Sequence, residues 1–339
     1  MPRKPEALNY SADTGPGITR QREGDGFIYY DARGRLIAKR ATLRRIEAMA
    51  IPPAYTDVWI CPDPNGHIQA TARDARGRKQ YRYHEQWRQL RDTNKYQQLE
   101  AFGSALPRIR RVAKADMKAK GLTQERITAL VICLLESTLI RIGTKHYART
   151  NKSYGLTTLR RRHASVAGST IRFQFKGKSG VHHDVTISDR RIASVIKRCL
   201  DMPGQELFRY KDAQSNIRSI DSGAINAWLK AASGGDFTAK HYRTWGASVY
   251  TMKRLQQLQV LQGSTPTRKA LGEVVKQAAA LLGNTATVCR NCYIHPAIIE
   301  AYLTGTLPPR RSVPAPRGLR ADERRFLAFL RSTAVAAAN

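Results

Sequence analysis

The hydrophobic period of this chain changes near His84, and that change constrains the fold more than any other feature. Before it, short aromatic and β-branched runs alternate with glycine turns, the pattern of hairpins. Phe27-Ile-Tyr-Tyr, the turn Asp31-Ala-Arg-Gly34 and Arg35-Leu-Ile-Ala read as one hairpin. Val58-Trp-Ile-Cys, the turn Asp63-Pro-Asn-Gly66 and Ile68-Gln-Ala-Thr-Ala read as a second, with a short helix over 42–50 between them that ends at Pro52-Pro53. After His84 the apolar residues recur at helical spacing. The clearest case is Gln124–Ile140, with Ile127, Leu130, Val131, Leu134 and Leu135, which stops where Arg141-Ile-Gly143 begins. Further helices are expected over 189–200, 221–232, 240–258, 267–282 and near 320–337. One hairpin interrupts them, running from Ile171 through the turn Lys176-Gly-Lys-Ser-Gly180 to Ile187.

The expected fold is therefore α+β, with a small antiparallel-sheet N-terminal domain over 1–103 and a larger, mainly helical domain over 104–339 that contains a short β-hairpin sheet. A chain of 339 residues exceeds what a single hydrophobic core usually serves. The boundary is drawn in the low-information stretch 98–106. Residues 1–25, polar and rich in Gly, Asp and Arg, are expected to form a loosely ordered lead-in, and the stretch 310–318 breaks the helical pattern.

Charge narrows the partner. There are 58 Lys and Arg against 26 Asp and Glu, a net charge of +32, and the cations run from Arg20 to Arg331 rather than sitting in a tail. A folded surface carrying that field attracts a polyanion. Arginine-rich stretches interleaved with Tyr and Gln favour nucleic acid, where phosphates take the charge and planar or amide groups make the shorter contacts. The first residues contain no apolar signal region, and no apolar run approaches the roughly 20 residues of a membrane span. Five scattered cysteines, Cys61, Cys133, Cys199, Cys289 and Cys292, read as reduced thiols. A soluble, cytoplasmic, nucleoid-associated protein is expected, with no membrane partner.

Cleaving a DNA strand without hydrolysis requires an oxygen nucleophile, cations on the non-bridging phosphate oxygens and an acid for the departing 5′-oxygen. A tyrosine, two arginines and a lysine supply all three. Five segments carry such residues in order: Gly77-Arg-Lys-Gln-Tyr-Arg-Tyr83; Ile140-Arg-Ile-Gly143 with Tyr147 and Tyr154-Gly-Leu-Thr-Thr-Leu159; Lys176-Gly-Lys178; Lys240-His-Tyr-Arg-Thr-Trp-Gly246; and Leu282-Gly-Asn-Thr285 leading to Tyr293.

In these segments the chain resembles the type IB DNA topoisomerases, particularly their compact poxviral and bacterial branch. The resemblance implies that Tyr293 is the nucleophile and is left as a 3′-phosphotyrosine. It makes Arg141 and Arg243 the donors to the non-bridging oxygens and Lys178, in a glycine-flanked turn, the general acid. Asn284 stands where poxviral and nuclear relatives carry histidine; its amide still donates a hydrogen bond but cannot transfer a proton. Gln80, Tyr81 and Tyr83 would touch DNA from the N-terminal domain, Tyr147 a phosphate, and Lys240 the DNA beside Arg243. The same resemblance implies a monomeric C-shaped clamp on double-stranded DNA that relaxes positive and negative supercoils with no ATP, metal or small-molecule cofactor.

Three other readings compete. A tyrosine recombinase shares the Arg, Lys, Arg, Tyr order, but its usual His-x-x-Arg is here Lys240-His-Tyr-Arg243, and the N-terminal strands replace a helical arm-binding domain. A non-catalytic nucleoid protein would explain the charge and need no Tyr293. A metal-dependent nuclease would want carboxylate clusters, and none stands near the five segments. Cys289-x-x-Cys292 with His295 brings metal-ligand types together but lacks the second paired motif of a zinc site, so no metal is expected there.

Overall fold

The computed structural model describes residues 8–262, 268–311 and 317–338, and the chain divides into two compact units between Lys95 and Tyr96. Residues 1–7 of the expected lead-in and residues 312–316 of the expected break lie outside the described residues.

The first unit is a five-stranded antiparallel sheet of β1 (Ile18–Glu23), β2 (Gly26–Tyr30), β3 (Thr56–Ile60), β4 (Ile68–Arg73) and β5 (Lys79–Tyr83), in the order β2-β1-β3-β4-β5. Helix α1 (Arg40–Ala48) sets Ile46 against Ile18, Val58, Ile60, Ala70 and Ala72 to make its core. The second hairpin stands as read. The first does not: β2 pairs with β1, Thr19 opposite Tyr30, and touches the Arg35 stretch only at one bridge, Tyr30 to Leu36. The Asp31 carboxylate accepts the backbone N–H groups of Arg33 and Arg35, both at 2.9 Å, and closes the turn, while β1 takes the ladder along the whole of β2. Residues 8–25 are likewise built in. Tyr10 stacks on His67 at 4.1 Å, and the Ser11 N–H donates to His67 Nδ1 at 2.9 Å. These anchors are polar and long-range, so a composition rule misses them.

The second unit is mainly helical, and α2 (Glu85–Asp116) runs through the residues expected to separate the domains. Leu99, Phe102, Leu106 and Ile109 form a fully buried stripe on it at helical spacing. Gly103 is there for close approach rather than as a breaker, because a methyl at its Cα would lie 2.2 Å from Trp245. Helix α3 (Gln124–Thr138) is capped by the Thr123 hydroxyl and is buried along most of its length. The short α4 (Lys145–Asn151) follows, then the sheet β6 (Ala164–Ala167), β7 (Thr170–Lys176) and β8 (His182–Ser188), ordered β6-β7-β8. Helix α5 (Arg190–Asp201), the hairpin β9 (Arg209–Lys211) and β10 (Ile217–Ser219), and α6 (Ser222–Ser233) come next. The chain ends with α7 (Ala239–Gln262), α8 (Arg268–Leu282), α9 (Ala286–Cys292), α10 (Pro296–Leu303) and α11 (Ala321–Ala338). No helix among the described residues is long and apolar enough to cross a membrane.

One ion network ties α2, α3 and α11 together. Arg110 donates to Glu323 at 2.6 and 2.9 Å and to Glu136 at 3.1 Å. Burial pushes the Glu323 carboxyl up, but the Arg110 hydrogen bonds and the Arg320 backbone N–H outweigh it and hold it below its ordinary value. A depressed carboxyl stabilises the fold at pH above its unfolded value, and that contribution is lost as pH falls through its folded value. Arg110→Ala is expected to lower stability by about 3 kcal/mol, because it removes the guanidinium that two carboxylates share and leaves Glu136 with the Arg320 side chain and Glu323 with the Arg320 N–H. The deficit should shrink at acid pH, and denaturant melts at pH 7 and pH 4 would check both parts. An equal deficit at both pH values would discount the carboxylate account.

Candidate active site

The site grows from the C-terminus of α8. Gly283 takes the left-handed conformation, φ +56°, which a glycine adopts without strain. The N–H of Gly283 then bonds to the Ala280 carbonyl and that of Asn284 to the Ala279 carbonyl, each at 3.0 Å. This double closure satisfies two of the last carbonyls and leaves those of Leu282 and Gly283 at the negative end of the helix.

Two guanidinium groups fill that end. Arg243, on the first turns of α7 and 4% exposed, donates to the Leu282 carbonyl at 2.8 Å and to the Leu139 carbonyl. Leu139 is itself left-handed, φ +54°, and closes α3. A branched side chain holds that backbone only where its surroundings enforce it, and the Arg243 donation is one such restraint. Two residues on, Arg141 donates to the Gly283 carbonyl at 3.3 Å, more weakly to Leu282 at 3.5 Å, and to the Asn284 side-chain carbonyl. Its backbone is pinned from the other side by Leu156 N–H to the Arg141 carbonyl, 2.8 Å, and Thr157 N–H to the Ile142 carbonyl, 2.8 Å.

The Tyr293 side chain lies near enough to both guanidinium groups to strengthen their hold on a proton, and the Arg243 guanidinium carbon lies 5.2 Å from the Tyr293 ring centre. Tyr293 follows α9, whose N-terminus is capped by the Thr285 hydroxyl. Its carbonyl accepts from the Ser248 hydroxyl at 3.2 Å, so the tyrosine backbone is fastened to the same helix that carries Arg243. Burial lowers the affinity of both arginines for their proton, and Tyr293 partly restores it. For Arg243, burial and the charge of Arg141 bring the value down to about 10, so the group remains charged at neutral pH.

Because the Asn284 oxygen is taken by Arg141, its amide orientation is set, and the Nδ2 group is buried with no hydrogen-bond partner among the described residues. A buried donor left open beside two guanidinium groups and a phenol is where an oxyanion would bind.

Arg141, Arg243, Asn284 and Tyr293, read from separate segments, thus meet in one place. Lys178 sits at the exposed tip of the β7–β8 hairpin. The link between that tip and the arginine corner is a residue that sequence reasoning missed, His183 on β8. A methyl added at Gly177 would lie 2.6 Å from its Nε2, and one added at Gly283 would lie 2.5 Å from its Cε1. The ring also stacks on Phe175, 4.8 Å between centres at 9°. Burial, then the charges of Arg141 and Arg243, push its imidazole below the ordinary value, so it is neutral at pH 7. Strand alternation was the available signal, since His183, Val185 and Ile187 are the inward positions of β8.

Tyr147 is 51% exposed on α4, and Lys240 is exposed in the first turn of α7. In the first unit, Tyr81 and Tyr83 stack at 5.9 Å on β5, and the Gln80 amide donates to Asp74 at 2.9 Å. Cys289 is buried and Cys292 exposed, so the two thiols face different surroundings.

Comparison with known proteins bears on both units. A family model described as the catalytic core of eukaryotic DNA topoisomerase I matches residues 84–305. One described as the N-terminal domain of bacterial DNA topoisomerase IB matches residues 26–74. DNA topoisomerase 1B of Acanthamoeba polyphaga mimivirus is 32% identical over 295 residues, 84% of this chain and 87% of that protein. DNA topoisomerase 1B of vaccinia virus (strain Copenhagen) is 22% identical over 264 residues, 75% of this chain and 80% of its own. DNA topoisomerase 1 of rabbit fibroma virus (strain Kasza) is 22% identical over 293 residues, 83% and 88% of the two chains. Arg141, Lys178, Arg243, Asn284 and Tyr293 fall inside the matched catalytic core, whereas Gln80, Tyr81 and Tyr83 fall between the two matched regions.

Proposed function

Since this chain belongs to the type IB DNA topoisomerases, we propose that it relaxes supercoils of both signs through a transient bond between Tyr293 and a DNA 3′-phosphate. The Tyr293 oxygen attacks phosphorus, the P–O5′ bond breaks, and the new ester keeps the energy of the old one. The freed 5′-hydroxyl later attacks the phosphotyrosine and restores both partners. No bond energy is lost between the two steps, so no ATP is consumed.

The observation that carries this reading is the convergence of two guanidinium groups on the Tyr293 side chain, beside an open amide donor. When a phosphate enters, Arg141, Arg243 and the Asn284 Nδ2 group are the donors for its non-bridging oxygens, where charge grows in the transition state. The guanidinium fork suits two oxygens better than an ammonium does. Lys178 delivers the proton to the leaving 5′-oxygen. These side chains supply the positive charge that metal ions provide in many phosphoryl-transfer enzymes, so the reaction is expected to proceed in EDTA.

Gln80, Tyr81 and Tyr83 on β5 and Tyr147 and Lys240 are the proposed DNA contacts, with double-stranded DNA as the substrate and the monomer as the working unit in the cytoplasm. The net charge of +32 offers many Lys and Arg contacts to phosphates, each releasing counterions, so affinity should fall steeply with salt.

The test is relaxation of negatively and positively supercoiled plasmid in excess EDTA without ATP, with denaturant-trapped samples examined for protein joined to 3′ ends. Relaxation of both signs with a 3′ adduct is expected. Dependence on a divalent ion, or resolution of recombination junctions without relaxation, would move the chain to a nuclease or recombinase reading.

A further inference from the structure

We propose that His183 is a positioning residue for Lys178, its ring acting as the wedge that sets the lysine turn against the Gly283–Asn284 corner. The proposal rests on the reading of Lys178 as the acid for the 5′-oxygen.

Three observations converge on this ring. First, its two edges occupy the places where side chains would begin at Gly177 and at Gly283. Gly177 directly precedes Lys178, and Gly283 directly precedes Asn284. The backbone at Gly177, φ −94°, is open to any residue, so the glycine is required by the ring and not by the turn. Second, His183 and Phe175 are directly opposite in the β7–β8 ladder, and their stacking fixes the ring plane across the base of the hairpin. Third, the turn it supports is short and tightly closed, Gly177 N–H to the Val181 carbonyl at 2.7 Å and Gly180 N–H to the Gly177 carbonyl at 3.1 Å. A shift at Gly177 therefore moves the start of the Lys178 side chain.

The chemistry needs such a spacer. Lys178 is exposed, on a flexible four-carbon stem, and its ammonium makes no hydrogen bond or ion pair with a described residue. Its delivery of a proton to one oxygen depends on where its backbone stands relative to the groups that hold the phosphate. Asn284 and the two arginines hold the phosphate, and His183 is the solid contact between their corner and the lysine turn. A neutral ring serves here, because a charged one would face Arg141 and Arg243.

The experiment uses a duplex with one cleavage site, mapped first with the wild-type protein, made with either the ordinary 5′-oxygen or a 5′-sulfur at the scissile bond. Sulfur leaves without a proton, so a defect in acid delivery disappears on that substrate. His183→Ala is expected to cleave the oxygen substrate about 10- to 100-fold more slowly than wild type and the sulfur substrate within about threefold of it, as lost acid catalysis predicts. Lys178→Ala should show the same pattern. Equal slowing of His183→Ala on both substrates, or no slowing, overturns the proposal while a rescued Lys178→Ala keeps the functional reading intact. Slowing of Lys178→Ala on both substrates removes the acid role itself and the proposal with it.

A second variant guards against simple misfolding. Gly177→Ala should slow cleavage by displacing the ring, and adding His183→Ala to it should give a protein no slower than His183→Ala alone. Losses that multiply would overturn the wedge.

Discussion

Tyr293→Phe is expected to leave a folded, DNA-binding protein that neither relaxes plasmid nor forms a covalent adduct, with a loss of at least about 10⁴-fold, in line with removal of a catalytic nucleophile. The change deletes one oxygen and keeps the ring that packs against the core. The positive field that draws DNA is spread over the chain and is untouched by it. Arg141 and Arg243 keep their seats on the α8 carbonyls, so the phosphate site survives without its nucleophile. Retained DNA affinity with no adduct separates the loss of chemistry from the loss of binding. Residual relaxation above background would reject Tyr293 as nucleophile, and tight binding with undiminished function would return the chain to the class of nucleoid proteins.

Arg243→Ala is expected to cost both rate and stability, and the two can be told apart. Arg243 is buried and serves the carbonyls of Leu139 and Leu282 from two different helices. Leaving buried acceptors unpaired costs on the order of 1–3 kcal/mol, which a denaturant melt would register. Removal of a donor to the developing charge costs about 10²- to 10³-fold in single-turnover cleavage. Arg243→Lys discriminates between the two effects. An ammonium can restore a carbonyl contact and part of the stability, but it cannot serve both carbonyls and the phosphate in the planar arrangement of a guanidinium. Cleavage should therefore stay within about tenfold of the alanine variant even where stability recovers. A lysine variant with near wild-type cleavage would show that charge alone suffices at this position.

The pairing of cation and helix end explains how two arginines can share so small a space. Burial weakens the hold of both guanidinium groups on their protons, and the charge of Arg141 weakens that of Arg243 further, while the carbonyls at the end of α8 offset that penalty. The same carbonyls aim the guanidinium groups at Tyr293, so the seat that tolerates the charges also orients them.

Much of this was written in the chain itself. A switch from period two to period 3.6 is local, and it was enough for an α+β fold with a small sheet ahead of a helical body. Helix α3, the second hairpin of the first unit and the β7–β8 hairpin follow from residues within a few positions of one another. Tyr293, Arg141, Arg243, Lys178 and Asn284 were legible as residue types in ordered segments, and the roles proposed for them come from the family resemblance that those segments carry.

What the chain could not announce was whatever depends on residues far apart in sequence. The stretch 98–106 looked like a linker because Gly103 and Ser104 weaken its pattern, yet Trp245, more than a hundred positions later, is what Gly103 accommodates. Strand β1 lay hidden in a polar segment whose partners are β2 and β3. Arg141 after an apolar helix could have been a partner for the end of that helix, and packing delivered it instead to the end of α8. His183 looked like one polar residue in an alternating strand until the hairpin and the α8 corner closed on it. Local periodicity is set by backbone geometry and is therefore visible along the chain, whereas the neighbours of a buried side chain are selected only when the whole core packs. The sequence determined the elements and the reactive groups, and the tertiary structure alone determined which of them meet.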